Sequence, residues 1–290
     1  MEIKVNNIKK SYGEIDALKG IELTIKKGMF GLLGANGAGK TTFMRILTTI
    51  LPPSSGKIYV NGKDIEEMPE IKNKIGYLPQ DFSFYPQLTV YEVMDYLAII
   101  AGINDSKERK RLNNDLLEKV NLLNRKDIKT KALSGGMKRR LGIAQALIND
   151  PEFLIVDEPT AGLDPEERVR FRNMLSDLAA DRTVLLSTHI VEDIKFTCNE
   201  LAVLKEGNLF YQGKVAEMVK KAEGMVWEAV IANQRLAEMR SKYKVISYLS
   251  EGNKTKVRIL SPDKPLLDNI NKATPNIEDA YMALMEGEIR

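Results

Sequence analysis

Apolar and polar positions alternate near the start of the chain and then change period, and the change marks out the architecture. Ile3, Val5 and Ile8 begin a strand, and Ile21-Glu22-Leu23-Thr24-Ile25 alternates with period two, so residues 1–28 read as short strands. Lys57 to Val60 followed by Asn61-Gly62 predicts a hairpin, because both turn residues tolerate the positive φ that a two-residue loop demands. Between these segments lies an apolar run from Met29 to Leu33, a glycine-rich turn, and a predicted helix from Gly39 to Ile50. A buried strand feeding a helix through glycine is the entry to an α/β core.

Residues 88–149 read as helical, with charged faces around Lys107 to Arg111. The α/β pattern resumes at Phe153-Leu154-Ile155-Val156 and again at Thr183 to Ser187, both buried strands by composition. Asp164-Pro165-Glu166-Glu167 predicts a helix start: a cap, a proline where no N–H is needed, and acids at the positive end of the dipole. From about residue 215 the pattern changes. Val226 to Ile231, Lys244 to Leu249 and Lys254 to Leu260 read as strands, with a short helix between the first two. Ile277, Ala280, Tyr281 and Leu284 form an apolar stripe at helical spacing, to be buried on the annex itself or against a second copy. The predicted fold class is α/β, with an N-terminal antiparallel β layer, a helical subdomain inserted at about 88–149, and a small C-terminal α/β annex. Residues 1–214 form the main domain and 215–290 the accessory region.

Composition changes this picture little. Of 290 residues, 43% are hydrophobic and 29% charged, as in ordinary globular proteins, and a net charge of +3 gives no footprint for nucleic acid. Cys198 is the only cysteine, so no internal disulfide or cysteine cluster can form, which fits a reducing compartment. The N-terminus lacks the apolar core of a signal peptide. No run reaches the roughly 18–20 uncharged apolar residues that span a bilayer. The best candidate, Leu88 to Ile103, is interrupted by Glu92 and Asp95. Any work on a membrane is expected from outside the lipid.

The glycine-rich turn carries chemistry. Gly34-Ala35-Asn36-Gly37-Ala38-Gly39-Lys40-Thr41 is a P-loop, whose backbone N–H groups and following helix N-terminus surround phosphate oxygens. Lys40 is expected at the β- and γ-phosphates of ATP and the Thr41 hydroxyl on Mg²⁺. A partner strand must bring an acid for the metal. Asp157, at the end of Phe153 to Val156, is placed to hold Mg²⁺ through water, and Glu158 to act as general base. The predicted core is therefore that of a P-loop NTPase.

Leu133-Ser134-Gly135-Gly136-Met137, between P-loop and acidic strand, resembles the signature of ATP-binding cassette (ABC) ATPases. The resemblance extends across the core. Tyr12 looks like the aromatic that stacks on adenine, and Gln80 like the glutamine that senses Mg²⁺ and the transporter. Ala161-Gly162-Leu163-Asp164 is similar to the loop that crosses between paired subunits, and His189 to the switch histidine. Ala35, Ala161 and Met137 depart from the commoner residues at positions that carry no chemistry. The resemblance implies a nucleotide site formed by Tyr12, Gly34, Asn36, Gly37, Gly39, Lys40, Thr41, Thr42 and Asp164, with Ser134, Gly135 and Gly136 acting in trans. It implies Glu158, His189 and Gln80 in catalysis, and Thr41, Gln80 and Asp157 at Mg²⁺.

The same resemblance implies a second ABC cassette, identical or paralogous, as partner, because each chain has one P-loop and one signature. It further implies a separate transmembrane permease and a cytoplasmic location at the inner face of the cell membrane. The ending from Pro275 to Leu284 resembles cassettes of prokaryotic drug, antibiotic and lantibiotic-type exporters. The alternative is a soluble mechanical ABC ATPase acting on DNA or ribosomes. Such relatives carry coiled-coil insertions or two cassettes per chain, and neither a heptad array nor a repeat occurs here. A simple P-loop switch or kinase has no use for Leu133 to Met137. Lys138, Arg139 and Arg140 stand in the first turn of the signature helix, where cations oppose the dipole. They read either as solvated surface charge or as a basic rim for a partner or phosphate.

Overall fold

In the computed structural model, which describes residues 1–289, the alternating N-terminal segments form β1 (Ile3–Tyr12) and β2 (Ile15–Ile25), paired antiparallel. Ile3, Val5, Ile8, Ile21, Leu23 and Ile25 are all buried, so the period-two pattern defines the inner face of this layer. After β3 (Gly28–Leu33) and α1 (Lys40–Leu47), β4 (Ser55–Val60) pairs with β1 and turns through Asn61-Gly62 into β5 (Lys63–Asp64). Asn61 and Gly62 adopt φ of 49° and 83°, the conformation the hairpin reading requires.

The second layer is a buried sheet. It contains β3 with β6 (Ile75–Leu78), β7 (Phe153–Asp157) and β8 (Thr183–Thr188), mutually parallel in the order β3-β8-β7-β6. β9 (Glu200–Lys205) flanks β3 on the other side. Every residue of β7 and β8 is buried, which explains why these strands are continuous apolar runs rather than alternating ones. Phe30, Phe43, Met44, Phe153 and Leu185 join the β-layer isoleucines in one core. The register sets Leu33 beside Thr188 and Asp157 beside Ser187, so three strands end at one level.

α1 ends at Leu47, before the Ile50 expected from sequence. Thr49 enters the left-handed region with φ 57°, and the N–H groups of Ile50 and Leu51 both turn back to the Arg45 carbonyl. The inserted helical stretch resolves into α2 (Val90–Ile100), α3 (Ser106–Lys119) and α4 (Gly135–Ala146). α2 opens with a reciprocal capping box between Thr89 and Glu92. Among the described residues no helix is long and apolar enough to cross a membrane. α5 (Pro165–Ala179) starts as its sequence predicts, with the Asp164 carboxylate accepting from the Glu167 N–H at 2.8 Å. α6 (Val191–Thr197) follows β8.

The chain forms two compact units, Met1–Cys198 with Ala202–Leu209, and Asn199–Leu201 with Phe210 onward. β10 (Asn208–Lys214) leads into the second, where α7 (Val215–Lys221) precedes β11 (Val226–Ala232), α8 (Leu236–Lys242), β12 (Lys244–Glu251) and β13 (Lys254–Leu260). The two-residue β14 (Asn271–Lys272) completes a sheet ordered β12-β13-β11-β14, and α9 (Ile277–Glu286) closes the unit. Trp227, Ile231, Met239, Val257 and Ile259 form its core. The terminal stripe is buried within this unit: α9 packs on α7, with Ile277, Ala280 and Leu284 inaccessible and Tyr281 half-buried.

Asp279 fastens α9. It is fully buried, caps the helix reciprocally with Asn276, and accepts from Arg258 Nε at 2.9 Å and Nη2 at 2.6 Å. Arg258 Nη1 also donates to Glu228 at 2.6 Å. Removing Asp279 takes away the helix cap and the more buried of the two carboxylates that hold Arg258, which keeps Glu228 as its partner. Asp279→Ala is therefore expected to destabilise the second unit by about 2–3 kcal/mol, read from urea unfolding of the full chain monitored at Trp227.

Candidate functional site

The P-loop runs from the end of β3 at Leu33 to the start of α1 at Lys40. Its glycines are required by contact as well as by conformation. A Cβ at Gly34 would stand 2.5 Å from the Leu204 carbonyl oxygen. At Gly39, φ is 102° and a Cβ would lie 2.7 Å from the Ala17 carbonyl oxygen. The loop and the first residues of α1 border one cavity of about 310 Å³, where a helix N-terminus favours an anion. Ala17, Asn36, Gly37, Gly39, Lys40, Thr41, Thr42, Gln80 and Glu158 line it.

Lys40 is only 6% exposed and donates to the carbonyls of Gly34 at 2.7 Å and Ala35 at 3.1 Å. Its ammonium also lies 3.4 Å from Glu158 Oε1, pairing two charges that water barely reaches. The other Glu158 oxygen stands 2.6 Å from His189 Nδ1. Glu158 itself has φ 48°, an uncommon left-handed conformation for a side chain of this size, directly after the strand ends. That bend turns Glu158 away from the course of Asp157 and toward Lys40.

Asp157, at the last position of β7, is 1% exposed, with Ser187 of β8 beside it in register. Thr41 Oγ1 donates to its Oδ2 at 3.1 Å, and its Oδ1 is buried without a hydrogen-bond partner. Burial raises the Asp157 pKa above the ordinary carboxylate value, and the Thr41 hydrogen bond opposes the rise. Asp157 does not line the cavity itself but is hydrogen-bonded to Thr41, which does, as does Gln80; its unsatisfied oxygen, the threonine hydroxyl and the glutamine make an all-oxygen donor set suited to a hard divalent cation. Among the described residues no three His, Cys, Asp or Glu side chains group as a metal cage. A cation here would take its remaining ligands from phosphate and water.

Other expected site residues lie elsewhere. Tyr12 is 48% exposed, near Lys10, and does not line the cavity. Ser134 and Asp164 act as helix caps, Ser134 Oγ accepting from the Met137 N–H at 3.2 Å. Gly135 is exposed with open space where a Cβ would go, whereas Gly136 is buried with the Glu167 carboxylate against it. None of these five lines the P-loop cavity of its own chain.

The basic first turn of α4 needs correction. Only Lys138 is exposed. Arg140 is buried with Glu167 at 3.6 Å, and Arg139 donates to the carbonyls of Glu158 and Ala161. Neither arginine is a free rim, because this turn lies against the start of α5 and the loop after β7. Sequence reasoning also missed Asp193. It is fully buried, accepts from Thr160, and stands 3.7 Å from Arg172, tying the loop after β7 to α6. The only signal was its place beside apolar Ile194, since the adjacent Glu192 is exposed.

A P-loop, a buried acid hydrogen-bonded to Thr41 and a carboxylate beside a histidine are the parts of a P-loop nucleotide hydrolase, and the signature residues do not line its cavity. The sequence pattern of the ABC transporter family matches residues 18–161. Linearmycin resistance ATP-binding protein LnrL of Bacillus subtilis (strain 168) is 37% identical over 225 residues, covering 77% of this chain and 72% of its own. Nod factor export ATP-binding protein I of Cupriavidus metallidurans is likewise 37% identical over 225 residues, covering 77% and 74%. The dimeric post-hydrolysis structure of the ATP-binding cassette MJ0796, bound to ADP and Pi, superposes with a TM-score of 0.65 at 29% identity, covering 73% of this chain and 98% of that one. The chain belongs to the ABC transporter family, as an ATP-binding and ATP-hydrolysing subunit.

The raised pKa of Asp157 has a stability consequence. Its folded form holds the proton more tightly than the unfolded chain, so the stabilisation is complete below the unfolded pKa and is lost as pH rises through the folded value. Asp157→Asn stays neutral throughout and can still accept from Thr41. Thermal unfolding without nucleotide should show the variant gaining on wild type as pH rises from about 4 to 7.

Proposed function

We propose that this chain is the cytoplasmic motor of an export-type membrane transporter, peripherally attached at the inner membrane face through a separate permease subunit. It acts by ATP-driven closure of a head-to-tail pair of cassettes. The observation that carries the reading is the separation of the site's two halves. The P-loop cavity has Lys40, Thr41, Gln80 and Glu158 on its walls and lacks Ser134, Gly135 and Gly136. A second chain, presenting its signature, supplies the missing wall. Export is favoured by the relative named for Nod factor export and by the resistance protein LnrL, together with the exporter-like ending of the sequence.

In this reading the P-loop N–H groups and Lys40 hold the β- and γ-phosphates, which fits the place of Asn36, Gly37, Gly39 and Lys40 along one cavity. Thr41 and, through water, Asp157 would hold Mg²⁺ with Gln80 nearby, and the ion would neutralise charge on the phosphate oxygens. Glu158 orients water and accepts its proton as the water oxygen bonds to the γ-phosphorus and the bond to the bridging oxygen breaks. His189, 2.6 Å from Glu158, keeps that carboxylate oriented and can reach the γ-phosphate as the pair closes. Most of the acceleration is positioning and charge stabilisation.

Glu158→Gln keeps the shape of the acid and removes its basicity. It is expected to bind ATP with wild-type affinity while turnover falls by about 10²–10⁴-fold, measured by phosphate release and by equilibrium binding of labelled ATP. Turnover within a few-fold of wild type would remove Glu158 from the role of base.

A further inference from the structure

Arg139 belongs to the signature helix, five residues beyond Ser134, yet its guanidinium reaches the turn that carries the catalytic acid. Nη1 donates to the Glu158 carbonyl at 3.1 Å and Nη2 to the Ala161 carbonyl at 2.9 Å. The fork thus spans the 158–161 turn from end to end. Within that turn, the Ala161 N–H also donates to the Glu158 carbonyl at 3.3 Å, and the Glu158 N–H is anchored to Ser187 at 2.9 Å. Arg139 is half-buried. Burial lowers its pKa, opposed by the charges of Asp81 and Glu158, which places the acid following Gln80 in the same neighbourhood.

The contact matters because Glu158 is held in an unfavourable backbone state. A non-glycine residue at φ 48° persists only where its surroundings over-determine it. The Arg139 fork fixes the peptide plane on the carboxyl side of Glu158, and that plane sets where its side chain points between Lys40 and His189. A planar guanidinium can hold two carbonyls at once, whereas an ammonium lacks the matching fork.

We propose that Arg139 is a positioning residue for Glu158, coupling the signature helix to the catalytic acid of the same chain. This rests on the head-to-tail reading above. There the signature of one chain faces the ATP of the other, so contact of that signature with a nucleotide is transmitted through Arg139 to the acid serving the chain's own ATP. The two sites of the pair are thereby linked without direct contact between nucleotides.

The test uses full-length chains. Arg139→Gln should lower kcat by between about tenfold and a hundredfold, the scale of a misplaced catalytic group. The KM for ATP should change less than threefold, and Arg139→Lys should fall between Gln and wild type. Equilibrium ATP binding and thermal unfolding of both variants check that the fold and P-loop are intact. Mixed dimers then separate cis from trans action. Mixing Ser134→Arg with Glu158→Gln should restore activity, because the intact Glu158 of the first chain meets the intact signature of the second. Mixing Arg139→Gln with Glu158→Gln should add nothing beyond Arg139→Gln alone, because the surviving Glu158 lies in the chain that lost its fork. Recovery in this second mixture equal to the first would overturn the proposal, since Arg139 would then act through the signature in trans. A wild-type kcat in Arg139→Gln would overturn it as well. Failure of the first mixture, with mixed dimers demonstrably formed, would instead overturn the head-to-tail reading and the coupling with it, while the kcat of Arg139→Gln still reports on the placement of Glu158.

Discussion

Three neighbouring parallel strands ending in step is the constraint on which this molecule depends. Leu33 stands beside Thr188 and Asp157 beside Ser187, so the loops after β3, β7 and β8 emerge from one edge of the sheet. Residues more than a hundred positions apart, such as Thr41 and Asp157, meet at hydrogen-bond distance through that register alone. A strand shifted by one residue would turn Asp157 to the opposite face and leave the P-loop without its acid. The apolar content of β7 and β8 therefore serves the site, because burial on both faces is what locks the register.

On this frame sits a small set of charges with little access to water. Lys40, Asp157 and Glu158 are each under a tenth exposed, and buried ions persist when they find partners. Lys40 has carbonyls and Glu158, and Glu158 has Lys40 and His189. Asp157 has one oxygen bound to Thr41 and the other without a partner, while Glu158 Oε1, also without a hydrogen bond, at least faces the Lys40 ammonium at 3.4 Å. A group such as Asp157 is costly in the folded state, and in the proposed reading a cation satisfies it, linking the stability of the site to its ligand. The helix caps at Ser134 and Asp164 are satisfied locally and stand apart from this cluster.

Much of this was legible in the sequence, and what was legible had a local physical cause. Asn61-Gly62 announces its hairpin because few other pairs accept two positive φ angles, and the Asp164-Pro165 start of α5 follows from capping chemistry within four residues. The P-loop is recognisable because phosphate can be surrounded by backbone only at a glycine-rich strand-to-helix turn. The rest depends on neighbours distant in the chain. Arg139 and Arg140 look like surface cations until the loop after β7 and the start of α5 are set against them. Asp193 looks like any acid of a first turn until Thr160 and Arg172 surround it. The left-handed Glu158 has no local signature, since a glutamate followed by proline would be expected in extended backbone. β14, at two residues, is too short to carry a pattern of its own.

The central claim is that one chain carries two halves of different sites, so that ATP is enclosed only by a pair. Native mass spectrometry of the Glu158→Gln chain with Mg²⁺ and ATP tests this most directly. The account predicts a complex of two chains holding two ATP molecules, and its collapse to single chains, each still with one ATP, when Ser134→Arg is added to the same chain. A dimer that survives Ser134→Arg undiminished, or ATP held only by single chains in the absence of that change, would contradict it.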